Sequence, residues 1–353
     1  MALLTQRRYF LTLLAFAGAA LATMAITPRF GSEPLAMSAA FIEWLTHPRQ
    51  EWSIAALTLD LRLVRLAVAF LAGGTLAVCG VAFQAMLRNP LATPYTLGVA
   101  SGGALGAYCA FMFAGSSLML TLAPDDMAAA LTQYLRQGAS LAGAFSTMAV
   151  IYLLARSRSG ISTMGLLLAG VTLSLICSAA MMFLRYMSTP DMLMRMERWL
   201  MGGVDAGSWG ELTPMLPVLL PSMALLLIQA RRYDQLVFGE ELAAGRGVNV
   251  ARLQKITFFC GSMATAAVVA VVGPIGFIGL IVPHALRRIV GPEHRLLLPC
   301  AALGGGAFLA ICDTIARITP AELPVGVLTA MLGGPFFLFL LIRSRAQWGA
   351  RMQ

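Results

Sequence analysis

Charge is scarce in this chain. Only 12% of its 353 residues are Asp, Glu, Lys or Arg, about half the share of an ordinary soluble domain. Lysine is scarcer still, since Lys255 is the single one and no glycine pattern precedes it. A phosphate-cradling GxxxxGK[ST] loop is therefore absent, and the chain does not bind ATP by that route. The three histidines, His47, His284 and His294, have no second His, Cys or carboxylate at HExxH-like spacing, which argues against a metal centre. No Ser/His/Asp nucleophile can be assembled either, because the polar side chains sit at the edges of apolar runs. The six cysteines, Cys79, Cys109, Cys177, Cys260, Cys300 and Cys312, contain no CxxC and read as small hydrophobes. With no internal repeat and no low-complexity linker, residues 1–353 read as a single domain.

What fills the chain is apolar. Hydrophobic residues make up 59% and the mean hydropathy is +0.79, so the membrane class is indicated before any motif is considered. Ten apolar segments can be marked, at about 9–27, 61–84, 95–115, 138–155, 163–185, 211–230, 256–272, 275–290, 296–316 and 325–342. They predict an all-α polytopic membrane protein with about ten transmembrane helices and both termini cytoplasmic. Arg7 and Arg8 ahead of the first run fit a retained span better than a cleaved signal. Threading the chain this way puts sixteen of the 25 Lys/Arg on the inner side and twelve of the 16 acids on the outer side, as the positive-inside rule requires. The net charge of +9 does not point to nucleic acid, because the arginines are dispersed at the ends of apolar runs instead of forming one basic face.

One stretch breaks the apolar pattern. Residues 231–255, RRYDQLVFGEELAAGRGVNVARLQK, hold five of the 25 basic and three of the 16 acidic residues. A segment so charged cannot cross lipid, and Phe238, Leu242, Val248 and Val250 give it an apolar surface to press on a partner. Elsewhere, Gly98, Gly102 and Gly106, spaced by four, and Gly304 to Gly306 predict close helix packing. Asp313 and Arg317 stand four apart at the outer end of the ninth segment, where they can pair. Arg62 and Arg65, at the outer mouth of the second, read either as a docking surface for an acidic partner or as snorkelling anchors.

The strings LRLVRLAVAFLAGGTLAVCGVAFQAMLRNPLATPYTLGVASGGALGA (61–106), GEELAAGRGV, GPIGFIGLIVPHALRRIVGPEHRLLLP and DTIARITPAELPVGVLTAMLGGPFFLFLL resemble the FecCD family of ABC-transporter permeases. That family carries vitamin B12, ferric siderophores and haem. The resemblance implies a homodimer of ten-helix subunits embedded in lipid, with a path at the dimer interface. It also implies two cytoplasmic ABC ATPase subunits and an extracytoplasmic substrate-binding protein. No cofactor is expected in this chain, ATP and Mg being held by the ATPase. The segment 231–255 then becomes a cytoplasmic coupling loop whose Glu240, Glu241, Gly245, Arg246, Gly247 and Asn249 meet the ATPase. Arg62, Arg65 and Arg317 match arginines that dock the binding protein. Asn89 and Leu91 in RNPLATP, with Ser162 and Thr163 in GISTMG, match a cytoplasmic gate, although Met164 replaces a small polar residue there.

The chain is thus expected to catalyse nothing covalent and to serve as the permease of a binding-protein-dependent importer, for a ferric siderophore or for cobalamin or haem. A rival of another class is an ion-coupled secondary transporter. It would normally carry carboxylates or histidines in mid-span, whereas Asp313 and Glu322 lie at an outer edge.

Overall fold

A backbone in lipid must satisfy its own N–H and C=O groups, and a helix is the one way for a single segment to do so. The computed structural model describes residues 6–31, 35–95, 97–114, 125–157, 160–204, 207–319 and 322–349, and they are helical almost throughout. In chain order the helices are α1 (Gln6–Ile26), α2 (Met37–Thr46), α3 (Ile54–Met86), α4 (Val99–Ala114) and α5 (Asp125–Ala155). A two-residue antiparallel ladder, β1 (Arg156–Ser157) against β2 (Gly160–Ile161), turns the chain into α6 (Thr163–Tyr186). Then come α7 (Pro190–Leu200), the single turn α8 (Trp209–Leu212), α9 (Leu216–Ile228), α10 (Ala230–Leu236) and α11 (Glu240–Gly245). The chain closes with α12 (Val250–Val272), α13 (Ile278–Ile289), α14 (His294–Ile318) and α15 (Val325–Gly349). Arg158 and Arg351, two of the sixteen basic residues assigned to the inner side, lie outside the described residues.

Each marked apolar segment carries a helix, but the lengths differ from those expected. Six helical stretches among the described residues are long and apolar enough to cross a membrane: Gln6–Arg29, Ile54–Met86, Leu131–Ala155, Thr163–Tyr186, Val250–Val272 and His294–Ile318. Val99–Ala114, Leu216–Ile228 and Val325–Phe339 are apolar but shorter. The eighth segment gives only the 12 residues of α13, because Gly273 at φ 70° and Phe277 at φ 68° turn the chain first. The second segment gains a turn and more: Ser53 caps α3 by accepting from the Ala56 amide at 3.3 Å, which draws Asp60 into the helix.

Two glycine seams hold the bundle. Along α3 and α14, a Cβ on Gly74 would lie 2.5 Å from the Ala302 carbonyl oxygen, and one on Gly306 would lie 2.7 Å from that of Phe70. Side chains there would force the two helices apart, so van der Waals contact between bare backbones sets their separation. Gly102 and Gly106 make the same seam between α4 and α5, against Gly143 and Ala139. Gly98 does not join them. It precedes α4 at φ 81° and approaches the Gly170 carbonyl of α6. Around the α3–α14 seam, buried residues of α9, α10, α12 and α13 complete the largest apolar core.

Candidate functional site

The charged segment folds as two short helices, α10 and α11, ending in the N-terminus of α12. Gly239 at φ 110° breaks α10 from α11, and Gly247 at φ 85° ends α11; both are left-handed angles that favour glycine. Gly245 adopts an ordinary angle with open space around it, so the backbone does not demand glycine there. Asn249 caps α12, its Oδ1 accepting from the Arg252 amide at 2.9 Å. Leu236, Ala243 and Val248 point into the core and seat the unit. Val237, Phe238 and Leu242 stay exposed, with the Arg246 guanidinium 5.3 Å from the Phe238 ring centre. Of the four apolar residues expected on the partner-facing side, Val248 is therefore inward, because the turn at Gly247 rotates it beneath α11, and Val250 is half-buried against the same core. Glu241 is exposed. Glu240 pairs with Arg88 at 3.4 Å and receives a 3.5 Å contact from Gln254.

Two further side chains tie this unit to the bundle, and neither link is visible in the sequence. The Tyr233 hydroxyl, fully buried, lies 2.8 Å from Thr257 Oγ1 in α12. Burial pushes its phenol well above the ordinary value, so it stays neutral. Asp234 Oδ1 accepts from the His294 amide at 2.7 Å and lies 2.8 Å from His294 Nδ1.

The predicted gate residues occupy two loops. Asn89 closes an Asx turn, its Oδ1 accepting from the Leu91 amide at 3.0 Å, next to Arg88 at a left-handed φ of 48°. Ser162 caps α6 by accepting from the Gly165 amide at 3.1 Å, and Thr163 opens that helix half-buried. One apolar cluster carries both loops: Leu87 and Ala92 flank the first, Ala155 and Leu166 the second.

At the other end of α3, two of the three predicted docking arginines, Arg65 and Arg317, share one carboxylate. Arg65 Nε lies 3.0 and 3.1 Å from the two Asp313 oxygens, and Arg317 Nε lies 3.2 Å from Oδ2. The expected Asp313–Arg317 pair forms, but Arg65 shares it. Arg62 turns inward and donates to the Pro28 carbonyl at 3.0 Å. Asp313 is 1% exposed, Arg62 6% and Arg317 8%, so neither Arg62 nor Arg65 is the lone surface cation expected. Nearby, Asp60 accepts from two indoles, Trp44 at 2.9 Å and Trp209 at 3.0 Å. Its position just before an apolar run gave no signal of that role.

Long apolar helices with glycine seams, interrupted by one polar helical segment, define a polytopic membrane protein. The comparisons give the family. The FecCD transport family profile matches residues 19–343. The hemin transport system permease protein HmuU of Yersinia pestis is 39% identical over 82% of this chain and 84% of its own length. The cobalamin import system permease protein BtuC of Halobacterium salinarum is 40% identical over 80% of this chain and 72% of its own. The Fe(3+)-citrate import system permease protein YfmE of Bacillus subtilis is 35% identical over 79% and 80%. A solved structure described as an inward-facing conformation of a metal-chelate type ABC transporter superposes with a TM-score of 0.79 at 30% identity, covering 95% of this chain and 99% of that one. The chain belongs to the FecCD transport family and is a multi-pass membrane permease of an ABC importer.

Proposed function

We propose that the chain is the permease subunit of a binding-protein-dependent importer of a ferric chelate of the siderophore type, working in the cell inner membrane by alternating access. Ten spans would leave both termini, and the segment 231–255, in the cytoplasm. The observation that carries the reading is the α10–α11 unit. It presents Phe238, Leu242, Glu241 and Arg246 outward while Tyr233, Asp234, Ala243 and Val248 fix it to the bundle. An ATPase that seats this unit would move helices when it closes on ATP. Gly245, Gly247 and Asn249 shape the turn at which the unit meets it.

Homodimerisation with a path between the subunits is supported by α6, which leaves Met164, Leu168, Val171, Leu175 and Met182 uncovered in the single chain. At the opposite end, Arg65 and Arg317 share the single Asp313 carboxylate, and Arg65, the more open of the two, is the cation offered to carboxylates of the binding protein. Asn89, Leu91, Ser162 and Thr163 form the gate in this reading. Relatives named for Fe(3+)-citrate, haem and cobalamin all match over most of the chain. Haem and cobalamin are therefore the alternative cargoes.

Purification in gentle detergent with the products of neighbouring genes tests the assembly by native mass. Two copies of this chain with two P-loop ATPases are expected, and a chain that comes alone and still transports defeats the reading. Uptake of a labelled ferric siderophore into vesicles, set against haem and cobalamin, tests the cargo.

A further inference from the structure

α14 begins without a cap of its own: Glu293, its N-cap residue, makes no side-chain bond to the first turn. The uncapped amide of His294 is instead satisfied by Asp234, sixty residues earlier in the chain and on α10 of the coupling unit. The same carboxylate oxygen meets His294 Nδ1, and the imidazole is 4% exposed. A carboxylate at a helix N-terminus is held by the exposed amides and by the positive end of the helix dipole together. The two bonds also differ from the other polar link of the unit to the bundle near its surface, the Arg88–Glu240 pair. That pair is 3.4 Å long with both side chains half open, so water screens it.

What lies behind α14 makes this joint matter. α14 and α3 touch backbone to backbone along the seam of Gly73, Gly74, Gly305 and Gly306, and so close a seam passes strain from one helix to the other. The α3–α14 body carries the predicted gate residue Asn89 just past the C-terminus of α3. Its far end carries Arg62, Arg65, Asp313 and Arg317.

We propose that the Asp234–His294 clasp is the joint through which the coupling unit drives the α3–α14 body, so that one contact relays motion both to the gate and to the docking end. The proposal rests on the importer reading above and names positioning residues within it. Asp234 and His294 touch neither cargo nor nucleotide; they transmit displacement. Loss of the clasp uncouples hydrolysis from transport without dissolving the complex.

The test uses the complete transporter, with its ATPase and binding protein, in lipid vesicles, and reads cargo moved per ATP hydrolysed. Asp234→Ala is expected to lower that ratio roughly tenfold, the scale of coupling between sites, with the ATPase still co-purifying in wild-type proportion. Asp234→Asn keeps an acceptor for the His294 amide and is expected to recover most of the ratio. Adding His294→Ala to Asp234→Ala is expected to cost little more than Asp234→Ala alone. A wild-type ratio in Asp234→Ala overturns the proposal. So does an equal loss in the Ala and Asn variants, or a loss that tracks a fall in melting temperature. A wild-type protein that transports without any ATPase would overturn the importer reading itself, which is a separate outcome.

Discussion

The two ends of the α3–α14 body handle charge in opposite ways. At the Asp313 end, Arg65 and Arg317 converge on one buried carboxylate, and Arg62 is spent on a backbone carbonyl. At the Asp234 end, Asp234 and Tyr233 make the inward polar bonds beside the buried Leu236, Ala243 and Val248, while Glu241, Arg246, Phe238 and Leu242 are left uncovered. Buried charge is dear to desolvate and dear to unpair, so the first end is built to keep its internal pairing while its helices shift. The second end is anchored at few points and exposed over the rest, which suits a surface that must be gripped and moved.

That contrast breaks most sharply at Asp313. Asp313→Ala leaves the Arg317 and Arg65 guanidinium groups without their shared partner, an expected cost of about 3–5 kcal/mol. Thermal unfolding in detergent, followed by labelling of the buried thiols Cys79, Cys177, Cys300 and Cys312, reads it directly. An unchanged melting temperature would mean that the cluster is not a structural knot. The converse experiment is Glu240→Arg with Glu241→Arg. These side chains are exposed or half-exposed, and the Arg88 pair is worth at most about 1 kcal/mol. Melting should barely change while cargo uptake collapses; intact uptake would remove the coupling role from this face.

Legibility in the sequence followed the same division. Apolar runs and the charged break at 231–255 were plain, because lipid permits few patterns and this segment violates all of them. The partners of the charges were not. Arg65 and Asp313 lie 248 positions apart, and no spacing rule brings them together. Asp234 and His294 are sixty apart, and no local pattern pairs them. Trp44, Trp209 and Asp60 meet only because α2 and α8 both fold back on the start of α3. Val248 shows the local limit: an apolar residue in a polar segment has no periodicity to say which way it faces, and a left-handed glycine before it decided the matter. The positions named for docking, gating and coupling came from likeness to a family, and the structure supplies their geometry.

A smaller effect belongs to Asn249. Its side chain satisfies the Arg252 amide at the start of α12, so Asn249→Ala should cost about 1 kcal/mol and Asn249→Asp almost nothing. Amide exchange over Val250–Leu253 reports it. Equal protection in Asn249→Ala and wild type would show that the cap is idle and that the ladder below it holds the turn alone.

The least effect expected lies at Glu43, near the Arg62 end but outside its buried cluster. The Ser53 hydroxyl donates to Glu43 Oε2 at 2.7 Å, and the Ser53 amide donates to Oε1. These two bonds, the hydroxyl first, hold the carboxyl below its usual 4.5. A carboxyl lowered in the folded state binds protons more readily when unfolded, so its contribution is complete above the unfolded value and is lost as pH falls through the folded one. Acidification through the carboxylate range should therefore loosen the junction of α2 and α3, where Ser53 also caps α3. Because Glu43 lies at a partly solvent-exposed junction, the change is confined to local amide exchange and leaves the melting temperature almost untouched. Glu43→Gln should abolish the pH dependence while keeping an acceptor in place. If the variant and wild type loosen alike on acidification, the junction is held by the stacking of Phe41 on Trp44 and by the Trp44 bond to Asp60, and the contrast between a fixed end and a movable end then extends outward to α2.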